Sequence, residues 1–136
     1  MIARKSTTRD VGKANYTKFL KRADECFCAA KYSMAKSDWT AGTINVVHAC
    51  IAGCDAICVY YLGKRHAGEN HGDAVKLFRA VKPGDKEVDA NAGRLTRIVS
   101  IKNIAEYEDR LIYETEAERI LKDCERFLAF VKKKLP

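Results

Sequence analysis

The sequence predicts an all-α fold: an antiparallel up-and-down four-helix bundle with an additional short helix. Three observations lead there. Apolar residues recur at intervals of three and four along most of the chain, the period of amphipathic helices. β-Branched residues do not alternate with polar ones, so the period of a half-buried strand is missing. Only two prolines occur, Pro83 and Pro136, which leaves long stretches free to be helical. At 136 residues, with 47% hydrophobic and 32% charged residues, the chain is expected to form one globular domain over residues 1–136. Its polar first segment, residues 1–10, is expected to be flexible.

The first helix is predicted from about Val11 to Lys36. It buries Tyr16, Phe19, Leu20, Ala23, Cys26, Phe27, Ala30 and Met34. Ser37 or Asp38 breaks it and can cap the next. The second runs from about Trp39 to Leu62, with Ile44, Val47, Ile51, Cys54, Ile57, Cys58 and Tyr61 on its buried side and Gly63 as its stop. The connector Lys64 to His71 follows. Asn70 can cap a short third helix from His71 to about Val81, expected to pack across one end of the bundle, and Pro83-Gly84 ends it. Asp85 can start the fourth helix, which reaches about Arg110 and buries Val88, Leu95, Ile98, Val99, Ile101 and Ala105. Thr115-Glu116-Ala117-Glu118 reads as a capping box for the last helix, to about Lys134. Long amphipathic helices joined by short links are best satisfied by antiparallel packing.

Composition narrows the classes. No window is expected to supply the roughly 18 apolar residues of a membrane span, and the first ten residues lack an apolar signal core. A protein kept in the cytoplasm, with no membrane partner, is the expectation. Cys50, Cys54 and Cys58 recur every four residues on one helical face, and none of the six cysteines forms a paired zinc knuckle. They are expected to be small core residues in a reducing compartment, with no metal and no cofactor. The net charge of +7 permits an acidic partner such as nucleic acid. The Lys132-Lys133-Lys134 run is expected to complement a helix dipole. Trp39 reads as a packing anchor, with base stacking as the alternative.

The apolar pattern breaks in the second helix. Asn45, His48 and Asp55 share one stripe beside Ala49, Ala52, Gly53 and Ala56, whose small side chains would let another helix approach closely. Buried polar groups need hydrogen-bond partners. Arg65, His71, Lys102, Asn103 and Tyr107 are the candidates. Two readings stay open. One is a buried network that fixes helix register, with Asp55 paired to an Arg or Lys. The other is a polar pocket of Asn45, His48, Asp55, Lys102 and Tyr107 facing a phosphate or a base. His48 by itself reads as a satisfied core histidine or as a catalyst.

The stretch Ser37-Asp38-Trp39-Thr40, the segment Asn45 to Ala56, the segment Gly63 to His71 and the run Lys102-Asn103-Ile104-Ala105-Glu106-Tyr107-Glu108 together resemble a small-domain branch of the HEPN family, from about Tyr16 to Phe130. The resemblance implies a helical bundle, commonly a homodimer, that binds nucleotides or RNA. Many members are metal-independent endoribonucleases, often toxins paired with a nucleotidyltransferase-like antitoxin, marked by an Arg followed a few positions later by a His. Arg65 and His71 have that spacing. By resemblance His71 would act as general base or acid and Arg65 would stabilise charge on the phosphate. In the better-understood nucleases the motif sits late in the bundle; here the late region Arg97 to Asn103 has no His. Three functions follow as expectations: a binding module, an active ribonuclease, or a non-catalytic bundle that docks a nucleotidyltransferase-like partner. Arg65 and His71 are alternatively a connector held by local hydrogen bonds.

Overall fold

The computed structural model describes residues 7–136. The order is strand β1 (Thr8–Asp10), a 3-10 turn (Lys13–Asn15), α1 (Tyr16–Ala35), α2 (Trp39–Leu62), strand β2 (Lys64–His66), α3 (His71–Arg79), α4 (Lys86–Tyr107) and α5 (Glu114–Lys134). The all-α bundle expected from the periodicity is the observed architecture, with one small two-stranded ribbon added. Two links fix the helix directions. Thr40 Oγ1 accepts from the Ile112 N–H at 2.9 Å, joining the α1–α2 turn to the α4–α5 link at one end. At the other end Tyr61 OH donates to the Lys134 carbonyl at 2.6 Å, and Lys133 meets Glu87 at 3.1 Å. So α1 and α4 run one way and α2 and α5 the other.

α2 is the centre. Its length and mean hydropathy of 1.5 would suit a membrane span, contrary to the expectation that no window is apolar enough, but 78% of that window is buried inside the bundle. A helix apolar all round is a core helix in this setting. Val46, Val47, Cys50, Ile57, Cys58 and Val59 are all buried, together with Phe78, Leu95, Ile98, Cys124, Phe127 and Val131 from the helices around them. The small stripe of α2 does what its size suggests. A Cβ added at Gly53 would lie 2.6 Å from Leu128, so α5 packs directly on the backbone there. Four cysteines are core residues as expected; Cys26 is half-buried and Cys28 is exposed, and all six are free.

Several expectations are corrected. The first helix begins at Tyr16 rather than Val11, because Thr8–Asp10 pair antiparallel with Lys64–His66 and the Val11 N–H donates to Gly63 O at 2.9 Å. Within the terminus expected to be flexible, residues 8–10 are therefore a strand, and residues 1–6 lie outside the described residues. The last helix starts at Glu114, not at a Thr115–Glu118 box: Glu116 accepts from the Tyr113 N–H at 2.9 Å, while Arg110 holds the same carboxylate through two contacts of 2.9 Å. This doubly donated carboxylate is held down at about 2. α3 does not cross the end of the bundle. It lies antiparallel along α4, tied by His71 to Lys102 at 2.9 Å and by Arg79 to Asp89 at 2.8 Å. Asn70 and Asp85 cap their helices, accepting from Gly72 N at 2.8 Å and Val88 N at 3.0 Å. The terminal lysines have specific partners: Lys132 pairs with Asp24, Lys133 with Glu87, and Lys134 lies over Phe130.

Candidate functional site

The chain leaves α2 through Gly63, whose φ of +68° is the left-handed conformation that glycine adopts without a steric penalty. This turn sends Lys64-Arg65-His66 back along α2. Alternate side chains of a strand point to opposite faces. Arg65 turns toward α1 and α2, while His66 is buried with its ring 6.3 Å from that of His71. Burial lowers the His66 pKa, and nearby Asp73 and a backbone bond to Asn70 partly oppose that. Its Nε2 has no partner among the described residues.

His71 is the first residue of α3, set by the Asn70 cap. Its Nε2 lies 2.9 Å from Lys102 Nζ on α4. An ammonium can only donate, so Nε2 accepts and the imidazole is neutral with its proton on Nδ1. The pKa agrees in direction: burial lowers it first, then the Lys102 charge and His66. The buried Nδ1 has no partner among the described residues. Lys102 also reaches Glu106 at 3.8 Å. Beside this pair lies an open cleft of about 480 Å³ between the start of α3 and α4, lined by Asn70, His71, Thr96, Val99, Ser100 and Asn103 among others. Many of its polar groups are already committed: the Gly72 and Asp73 N–H groups donate to Asn70, the Thr96 and Ser100 hydroxyls donate to Ala92 O and Thr96 O, and Glu69 adds a carboxylate. The donors left for phosphate oxygens are the Lys102 ammonium beside His71 and the side-chain amides of Asn70 and Asn103. Among the described residues no group of three or more His, Cys, Asp and Glu is placed to hold a metal ion.

Asp55 is the buried acid of α2. Its partner is Arg65, at 3.9 Å, beyond hydrogen-bond length. Burial pushes its carboxyl up to about 7 in spite of Arg65 and Arg22 nearby. The pairing of Asp55 with an arginine is the one expected of a register-fixing network.

The expected pocket of five polar residues is not one site. Lys102 is at His71, and Asp55 is at Arg65. Asn45 turns back on its own helix, donating to Ala41 O at 3.1 Å. His48 is exposed although it shares a face with Asp55, because β2 covers that face at Asp55 and leaves it open at His48. Tyr107, the last residue of α4, is 72% exposed. No hydrogen bond or ion pair joins Arg65 to His71 among the described residues: one faces Asp55 and Phe19, the other Lys102. Periodicity gave no hint of His66, Thr96 or Ser100, since each depends on which element covers it. The alternation around Arg65 within the connector was the available signal for His66.

The family model described as HEPN domain matches residues 16–134. No curated protein matches the chain.

Proposed function

This chain belongs to the HEPN domain family, and from that premise we propose that it is a nucleotide- and nucleic-acid-binding module that takes phosphate in the cleft at His71 and Lys102. The observation that carries the reading is the 2.9 Å contact between His71 Nε2 and Lys102 Nζ at the start of α3. It holds a cation beside a neutral imidazole whose N–H has no other partner among the described residues. A phosphate oxygen would accept one of the remaining protons of the Lys102 ammonium, and charge-assisted bonds of this kind are the strong ones. The protein would act in the cytoplasm as a homodimer.

For metal-independent RNA cleavage the same geometry sets a condition. A general base needs a free lone pair within reach of the 2′-hydroxyl. In one chain the Nε2 lone pair of His71 is taken by Lys102, and Arg65 is engaged by Asp55. Cleavage by Arg65 and His71 thus needs a second protomer, or the RNA itself, to displace these partners. Binding without turnover by the isolated protomer is the reading favoured here.

The test is fluorescence anisotropy with labelled RNA, run beside a cleavage assay on total RNA in EDTA. Binding that falls about tenfold in Lys102→Met and His71→Ala, for removal of one charge-assisted bond of roughly 1.5 kcal/mol, is the expected result. Equal affinity in all three proteins would refute the site. Cleavage abolished by Arg65→Ala and by His71→Ala would move the protein to the ribonuclease reading.

A second reading has its own observation. Tyr107, Leu111 and Tyr113 are 72%, 76% and 63% exposed on the end of α4 and the link to α5. Such a patch suits a non-catalytic bundle that docks a nucleotidyltransferase-like partner. Co-expression with a protein of that class should give a complex that Leu111→Asp dissolves; no complex with the wild type removes this reading.

A further inference from the structure

The β ribbon carries a charge arrangement that the cleft does not use. In its register Asp10 lies opposite Lys64, a complementary pair, but Arg9 lies opposite Arg65. Directly opposed residues of an antiparallel pair share one face, and like charges there are destabilising. Arg65 and Arg22 also gather on one ring: their guanidinium carbons lie 5.6 and 5.3 Å from the centre of Phe19. The ion pair of this group among the described residues is Asp55 with Arg65, at 3.9 Å, and Asp55 is itself buried. Asp10 and Glu25, the nearest carboxylates in sequence, form no ion pair with the three arginines among the described residues, and Asp24 is taken by Lys132. Arg9 and Arg22 are exposed, and Arg65 keeps 27% of its side chain accessible.

Three guanidinium groups against a single buried carboxylate leave donors without acceptors. A planar fork matches the oxygens of a phosphate. Arg65 and His66 are neighbours on β2 and face opposite ways, so the arginine face and the cleft face lie on either side of one short strand.

We propose that Arg9, Arg22 and Arg65 form a second phosphate-binding site, on the α1 side of the ribbon, so that the ligand is an RNA strand reaching both sides of β2 rather than a mononucleotide. This rests on the cleft reading for its second half only. An anion between Arg9 and Arg65 would turn the unfavourable cross-strand pair into a bridge.

The experiment has two arms. In the first, tripolyphosphate is titrated into the full chain and the arginine Nε–Hε signals are followed by NMR, in the wild type and in Lys102→Met. Arg9, Arg22 and Arg65 are expected to shift in both proteins. Shifts confined to other arginines, or none, overturn the arginine site whatever RNA does. In the second arm, affinity for an oligoribonucleotide of about 12 nucleotides is measured against salt. The Arg9→Gln/Arg22→Gln double variant should lower the log–log slope by about 0.7 for each phosphate it no longer neutralises, with AMP affinity unchanged. An unchanged slope overturns the proposal for RNA. Arg9→Gln alone, at an exposed strand position, should give half the change and guards against a folding artefact. If the wild type binds AMP but no RNA, the proposal is overturned while the cleft reading stands; if it binds neither, both fail, and any first-arm shifts then mark an anion site only.

Discussion

The α2–α5 contact and the β2–α3 link are built on opposite terms. Along α2 and α5 every large side chain at the contact finds apolar neighbours: Phe127 is fully buried with its ring 5.4 Å from that of Phe78, and Gly53 lets Leu128 down onto the backbone. In and around the link several polar groups lack a partner, although Asn70 caps α3 and His71 Nε2 meets Lys102. His66 Nε2 and His71 Nδ1 have no partner among the described residues, Asp55 is buried 3.9 Å from its arginine, and Arg9 faces Arg65 across the ribbon. Buried polar groups without partners cost free energy, as do opposed like charges. The contrast teaches that the bundle holds its stability in one half and gives up little of it to keep donors available in the other.

The largest expected effect attacks the first half. Phe127→Ala should destabilise the fold by about 3–5 kcal/mol, the range for a buried aromatic truncated to alanine. His71→Ala, in the link, should cost no more than about 1 kcal/mol. Urea denaturation checks both. Equal destabilisation by the two would erase the distinction between scaffold and site.

The next effect concerns Asp55 and carries a sign. Burial raises its folded-state pKa from 3.8 to about 7. The protonated acid is therefore the form the fold prefers. Its contribution is full below pH 3.8 and is lost as pH rises toward 7. Asparagine mimics the protonated form and cannot ionise. Asp55→Asn should match the wild type at pH 3.8 and exceed its stability by roughly 2 kcal/mol at about pH 8. The two histidines, with lowered pKa values, act in the opposite direction below their ordinary range. The difference between the two proteins removes that shared background. A variant less stable than the wild type at the alkaline end would show that the Asp55–Arg65 pair stabilises the fold.

The smallest effect sharpens the boundary between the halves. Asn70→Ala removes the cap of α3 and should cost about 1 kcal/mol. Hydrogen exchange should show the greatest loss of protection in α3, with α2 and α5 falling by no more than the change in global stability.

The bundle was legible because helical period, caps and stops are local. Leu62 and Gly63 end α2, Asn70 and Asp85 start α3 and α4, and all four follow from a side chain and its immediate neighbours. Val11 failed as a helix start because Thr8–Asp10 are held by Lys64–His66, far along the chain, and no local pattern reports such pairing. Thr115 and Glu118 spelled a capping box, but Arg110 draws Glu116 to the Tyr113 N–H instead. The site was legible residue by residue and not as a constellation. Lys102 and His71 were both named, yet their meeting depends on α3 lying along α4. His48 and Asp55 share a helical face in sequence, and only the reach of β2 separates the exposed residue from the buried one.

The central claim is that phosphate enters beside His71 and Lys102 while the bundle serves as scaffold. Backbone amide shifts on titration with AMP test it most directly. Changes concentrated at Asn70–Gly72 and at Val99–Asn103, and weakened in Lys102→Met, are the predicted result. Changes centred instead on the exposed Leu111–Tyr113 link, or a spectrum that AMP leaves untouched, would contradict it.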